Sequence, residues 1–116
     1  MYREFLTPDD DEVHEVLGEW PSSDEDGVRT LAFRDVSGRT LVFSYDVPTR
    51  SVRLRWTDER GAELLDVYRE GATRLSVSGG GPAAHLSVDF HTGECAGVMD
   101  IRVTPRLSVR DRLLFQ

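Results

Sequence analysis

From Leu31 to Thr57, apolar and polar residues alternate with a period of two in three consecutive runs. Leu31 and Phe33 lead to a turn at Ser37-Gly38. Leu41, Phe43, Tyr45 and Val47 follow, and beyond Pro48-Thr49-Arg50 come Val52, Leu54 and Trp56. Alternation of this kind sends every second side chain to one face of a strand, and that face has to be covered. The three runs predict an antiparallel sheet with one dry side and one wet side.

The pattern ahead of the sheet is helical. Tyr2, Phe5 and Leu6 form a short apolar lead-in, and Thr7-Pro8-Asp9-Asp10 reads as a helix start. Thr7 is placed to cap the free N–H groups, Pro8 suits the first helical position, and Asp9 to Glu12 suit the positive end of the helix dipole. Val13, Val16, Leu17 and Trp20 then recur at helical spacing as one apolar stripe. The spacing predicts a helix over 8–20, with Trp20 in the core and Gly18 loosening the last turn before Pro21.

After an acidic loop over 21–27, the chain reads as a β-meander from 28 to 116. Asp58-Glu59-Arg60-Gly61 is a hairpin turn. The next run, Ala62 to Arg69, has Leu64, Leu65, Val67 and Tyr68 on both faces, which predicts a strand packed on both sides. Glu70-Gly71-Ala72 turns the chain into a strand marked by Leu75 and Val77. Gly79-Gly80-Gly81-Pro82 lacks the Lys-Ser/Thr pair and the following helix of a phosphate loop, so it reads as a flexible hairpin connection. Leu86, Val88 and Phe90, then Met99, Ile101 and Val103, mark two further strands. Leu107 and Val109 suggest a short last one, before an apolar end at Leu113, Leu114 and Phe115. The expected fold is α+β and mostly β, an N-terminal helix followed by an antiparallel meander of seven or eight strands. A strongly bent sheet or small barrel would cover both the dry face and the helix stripe.

With 116 residues, 39% of them apolar and 30% charged, the expectation is one domain spanning 1–116. No apolar run approaches the roughly 20 residues of a membrane helix, and Met1 to Thr7 lack a signal-peptide layout, so a cytoplasmic location is expected. One cysteine, Cys95, excludes an internal disulfide and a four-cysteine zinc site. All 14 basic residues are arginine, which suits a host with a GC-rich genome.

The net charge of -7 is unevenly placed. Residues 1–27 hold ten acids against Arg3, whereas residues 28–116 hold 13 arginines against 11 acids. This layout argues against general nucleic-acid binding, which needs a basic face. It favours an acidic surface for a basic protein partner, carried by Asp10, Asp11, Glu15 and Glu19 on the helix and Asp24, Glu25 and Asp26 in the loop.

Two weaker clusters compete with it. His85, Ser87, Asp89 and His91 alternate along one strand face, and the compact trio Asp89, His91 and Cys95 has the side chains of a zinc site without a recognised spacing. Arg53 and Arg55 point to the wet face, where Arg34, Arg69, Arg74 and Arg102 would extend them into a groove for a carboxylate or phosphate. The competing reading is cross-strand pairing with Asp35, Asp46, Asp66, Asp89 and Asp100. No nucleophile elbow or triad spacing is present, so no catalytic residue and no cofactor is called for. The profile is that of a small binding module acting by protein–protein contact, of which a bacterial toxin-neutralising immunity protein is one example. A metal- or ligand-binding barrel, with or without enzyme activity, is the alternative, and Leu113 to Phe115 offer a homodimer contact.

Overall fold

The computed structural model describes residues 4–79 and 83–115. One helix, α1 (Asp10–Leu17), precedes nine strands: β1 (Ser22–Ser23), β2 (Arg29–Arg34), β3 (Thr40–Asp46), β4 (Ser51–Thr57), β5 (Glu63–Glu70), β6 (Ala72–Ser78), β7 (Ala84–Thr92), β8 (Cys95–Thr104) and β9 (Ser108–Phe115). The meander is therefore present, but it divides into two sheets. β1 to β5 form one and β6 to β9 the other, each in sequence order and antiparallel throughout. No closed barrel forms among the described residues.

The inner faces of both sheets contribute to one contiguous core. Leu31, Phe33, Leu41, Phe43, Tyr45, Val52 and Leu54 come from the first, and Leu75, Leu86, Val88, Phe90, Met99, Ile101 and Val103 from the second. These are the alternating positions of the sequence, and two-sheet packing satisfies each sheet's dry face with the other's. Val13 and Leu17 add the helix, which lies against β6 and β7.

The chain crosses between sheets through Gly71 alone. Its φ is +87°, and a Cβ there would stand 2.3 Å from Thr92 Cγ2, so only glycine fits the corner. Ala72 N–H donates to Arg50 O at 3.0 Å and His91 N–H to Gly71 O at 3.0 Å, which ties both sheets to it.

Three connections in the first sheet are built alike: Asp24–Gly27, Asp35–Gly38 and Asp58–Gly61. In each, Oδ1 of the aspartate accepts N–H bonds from the residues two and four positions on, at 2.9–3.0 Å. In each the glycine takes a φ of +82° to +84°. The carboxylate replaces a main-chain partner inside the loop, and glycine supplies the left-handed residue. Asp35 does more than the others, because its Oδ2 accepts the N–H of Leu107 from the β8–β9 connection of the other sheet at 3.1 Å.

Several expectations are corrected. The helix is 10–17 rather than 8–20. Asp9, not Thr7, caps it by accepting Glu12 N–H at 2.8 Å, and Gly18 ends it in a left-handed conformation. The chain reverses there, so Trp20 leaves the stripe and is 56% exposed. β5 is an edge strand, not one packed on both sides. Leu65 and Val67 face the core, while Leu64 and Tyr68 face water. Val47 lies in the β3–β4 turn, outside the core. Leu6 lies along the outer edge of β6, donating to Thr73 O and accepting from Leu75 N–H. Tyr2 and the Gly80-Gly81-Pro82 part of the glycine run lie outside the described residues, but β6 and β7 on either side pair antiparallel, as a hairpin requires.

Candidate functional site

The residues expected on the acidic surface come from two elements that meet. Asp10, on the first turn of α1, pairs with Arg29 Nε at 3.0 Å, and this pair fixes the helix start against β2. The helix start and Gly27 of the acidic turn border one cleft of about 530 Å³, lined by Asp9, Asp10, Arg29, Tyr45 and Val47 among others. The Tyr45 hydroxyl in its wall is buried without a partner among the described residues. Burial, with Asp10 nearby and against the effect of Arg29, pushes this phenol up to about 12.

Asp11, Glu15, Glu19, Glu25 and Asp26 are exposed and have no ion pair among the described residues. Asp24 differs from them. It is exposed too, but its Oδ1 holds the Asp24–Gly27 turn together, so its first role is structural. Trp20, next to Glu19 in the chain, has its ring stacked on His14 with centroids 4.2 Å apart and planes 10° from parallel. The ring is thus exposed yet held by a neighbour, and tryptophan is enriched among residues that dominate binding energy where it lies in an interface. The sequence pattern had assigned Trp20 to the core. The missed signal was Gly18, a helix terminator two residues before it.

The two rival clusters are not assembled. Cys95 is in β8, opposite Thr92, on the core-facing side of the sheet, whereas Asp89 and His91 project from the wet face of β7. No group of three potential metal-ligating side chains comes together among the described residues. Arg53 makes a two-point contact with Asp66 at 3.1 and 2.8 Å, and Arg55 lies 3.9 Å from Glu63. Hydrogen bonding to the Arg53 guanidinium lowers the pKa of Asp66, which is the signature of a surface pair. Cross-strand pairing thus accounts for both arginines.

Of the remaining arginines, Arg34 shares their wet face on β2, but Arg69, Arg74 and Arg102 do not extend it. Arg74 and Arg102 belong to the other sheet. Arg69 faces inward, bridging the sheets through two bonds to Asp111 at 2.6 and 2.5 Å, with its guanidinium 5.1 Å from the Phe90 ring centroid. Leu113, Leu114 and Phe115 end the edge strand β9, 64%, 65% and 86% exposed.

No protein-family model and no curated protein sequence matches the chain. Its fold is similar to a chain of a contact-dependent growth inhibition toxin–immunity protein complex from Klebsiella pneumoniae 342. The TM-score is 0.82 over 98% of this chain and 100% of that one, at 17% sequence identity. At that identity the likeness is one of fold. Among the described residues, no helix is long and apolar enough to cross a membrane.

Proposed function

We propose that the chain is a toxin-neutralising, immunity-type protein of a bacterial cytoplasm, acting by protein–protein contact through its acidic N-terminal surface. The observation that carries this reading is the likeness of fold, along nearly the whole chain, to a protein from a toxin–immunity complex. The surface itself supplies the chemistry. Asp11, Glu15, Glu19, Glu25 and Asp26 are exposed carboxylates without ion-pair partners among the described residues, on the segments before and after Trp20, and a partner with a basic surface is steered and oriented by such a field. Asp10 and Asp24 hold the two acidic elements in place. The edge of β9, unpaired among the described residues, is proposed with Leu113, Leu114 and Phe115 as a second contact surface for another copy of the chain.

The test is capture from a lysate of the source organism at low and high salt, with bound proteins identified by mass spectrometry. The wild type is compared with a variant carrying Glu15→Gln, Glu19→Gln, Glu25→Gln and Asp26→Asn, with Asp24 left intact to preserve its turn. One stoichiometric, salt-sensitive basic partner that the variant no longer retains is the expected result. Equal retention by the variant would remove the acidic surface from the reading. A captured protein that is harmless when expressed without this chain would remove toxin neutralisation.

A further inference from the structure

The wet face of the β6–β9 sheet carries charge of the opposite sign to the N-terminal surface. In a chain with 21 acidic residues and 14 arginines, this face sets Arg74, Arg102, Arg110 and Arg112 against Asp89, Asp100 and, beside Arg74, Glu4. The register places His85 beside Arg102 and Arg102 beside Ser108, with Asp100 and Arg110 opposite each other two residues along the strands. His85, Asp100, Arg102, Ser108 and Arg110 line one shallow cleft of about 270 Å³. We propose that this cleft binds the phosphate group of a small phosphate-bearing anion, held by Arg102 and Arg110 with Ser108 and His85 as further donors.

The arginines of the first sheet show what Arg102 and Arg110 lack. Arg53 and Arg55 each lie against an acid on the next strand. Arg102 and Arg110 have no ion-pair partner among the described residues. The one carboxylate in the cleft, Asp100, accepts the Ser87 hydroxyl at 2.9 Å and lies 3.8 Å from Arg112. Two guanidinium groups on neighbouring strands repel each other, and an anion between them reverses that cost. A carboxylate needs a single guanidinium fork. Two forks, a hydroxyl and an imidazole N–H converging from three strands suit the several oxygens of a phosphate.

The experiment is a titration of the isotopically labelled full chain with sodium diphosphate, followed by amide chemical shifts. Sodium chloride at matched ionic strength and sodium acetate serve as comparison arms. Saturable shifts at His85, Arg102, Ser108 and Arg110 are expected with diphosphate. Arg102→Gln and Arg110→Gln together should weaken binding about tenfold or more, since each removes charge-assisted hydrogen bonds. Asp100→Asn, which removes the opposing charge, should tighten it several-fold. All three positions are on the sheet surface, and the same spectra report whether each variant is folded. Shifts reproduced by chloride, acetate binding as tight as diphosphate, or unchanged affinity in the double arginine variant would each overturn the proposal.

Discussion

Asp35 joins the two sheets through a single carboxylate, and a second loop of the same chain provides the reference against which its contribution can be read. Its Oδ1 accepts from Ser37 N–H, Ser37 Oγ–H and Arg39 N–H at 2.7–3.0 Å, and its Oδ2 from Leu107 N–H at 3.1 Å. Asp58 makes the same pair of loop bonds, to Arg60 and Ala62, and none to the other sheet. Replacing either by alanine removes the loop bonds, a cost of about 1–2 kcal/mol by analogy with capping residues. Asp35→Ala also strands the N–H of Leu107, a residue only 5% exposed, which adds about 1–3 kcal/mol. Urea unfolding at neutral pH should therefore find Asp35→Ala less stable than Asp58→Ala by that increment.

The same carboxylate sets a pH dependence. Burial acts to raise its pKa, but the hydrogen bonds from Ser37, Leu107 and Arg39 outweigh burial and bring it from 3.8 down to about 2. A group whose folded pKa is depressed stabilises the fold above the unfolded value, and that contribution fades as pH falls through the folded value. The window is thus from about pH 4 down to about pH 2. The shift corresponds to at most about 2.5 kcal/mol at ~1.4 kcal/mol per unit. Solvent screening of a partly exposed group reduces this to about 1 kcal/mol. The wild type should lose about 1 kcal/mol of its advantage over Asp35→Ala across that window. Equal losses in the two variants at neutral pH, or an Asp35 increment that stays constant from pH 7 to 2, would refute the inter-sheet role.

Other perturbations test the remaining steps. Gly71→Ala combines a left-handed φ with contact against Thr92 Cγ2 and should cost about 2–4 kcal/mol in urea unfolding; Thr92→Ala in the same chain should restore part of that, since it removes the contact and leaves the φ penalty. Trp20→Ala should change stability by less than about 1 kcal/mol, because the ring is exposed, yet weaken partner binding about tenfold or more by calorimetry. Truncation after Arg112 removes the apolar end of β9, and sedimentation should then report a monomer at concentrations where the intact chain self-associates.

The alternation that marks β2, β3, β4, β7 and β8 survives into the structure almost residue for residue, because a strand with one dry face cannot slip by one position without exposing all of it. What alternation leaves open is which dry face covers which. One bent sheet and two facing sheets bury the same side chains, and the choice turns on Gly71, where one residue with positive φ lets the chain leave the first sheet and begin the second. Local pattern failed on β5 for a related reason. Leu64 and Tyr68 look like a second dry face in sequence, but an edge strand tolerates exposed apolar side chains singly. The repeated Asp-x-x-Gly of Asp24–Gly27, Asp35–Gly38 and Asp58–Gly61 was legible in principle, since each element of the loop is a residue-type preference.

The candidate site was half legible. Charge can be counted along a sequence, so the acidic helix and loop stand out, but the sequence cannot separate carboxylates that hold the fold from those without an intramolecular role. Structure makes that division: Asp9 caps the helix, Asp10 holds Arg29 and Asp24 closes a turn, whereas Glu15, Glu19, Glu25 and Asp26 do none of these. Trp20 fell on the wrong side of the same division, because helical spacing continued past the residue that ends the helix. Once Gly18 reverses the chain, an apolar position becomes an exposed aromatic ring braced by His14. A rigid ring forfeits little conformational freedom on binding, and on the proposed function the exposed carboxylates would orient a basic surface that approaches it. Binding through this surface should therefore divide in a measurable way: neutralising the carboxylates should slow association and flatten its salt dependence, whereas removing Trp20 should speed dissociation. If both changes act only on dissociation, the acidic residues serve as contacts and not as a steering field.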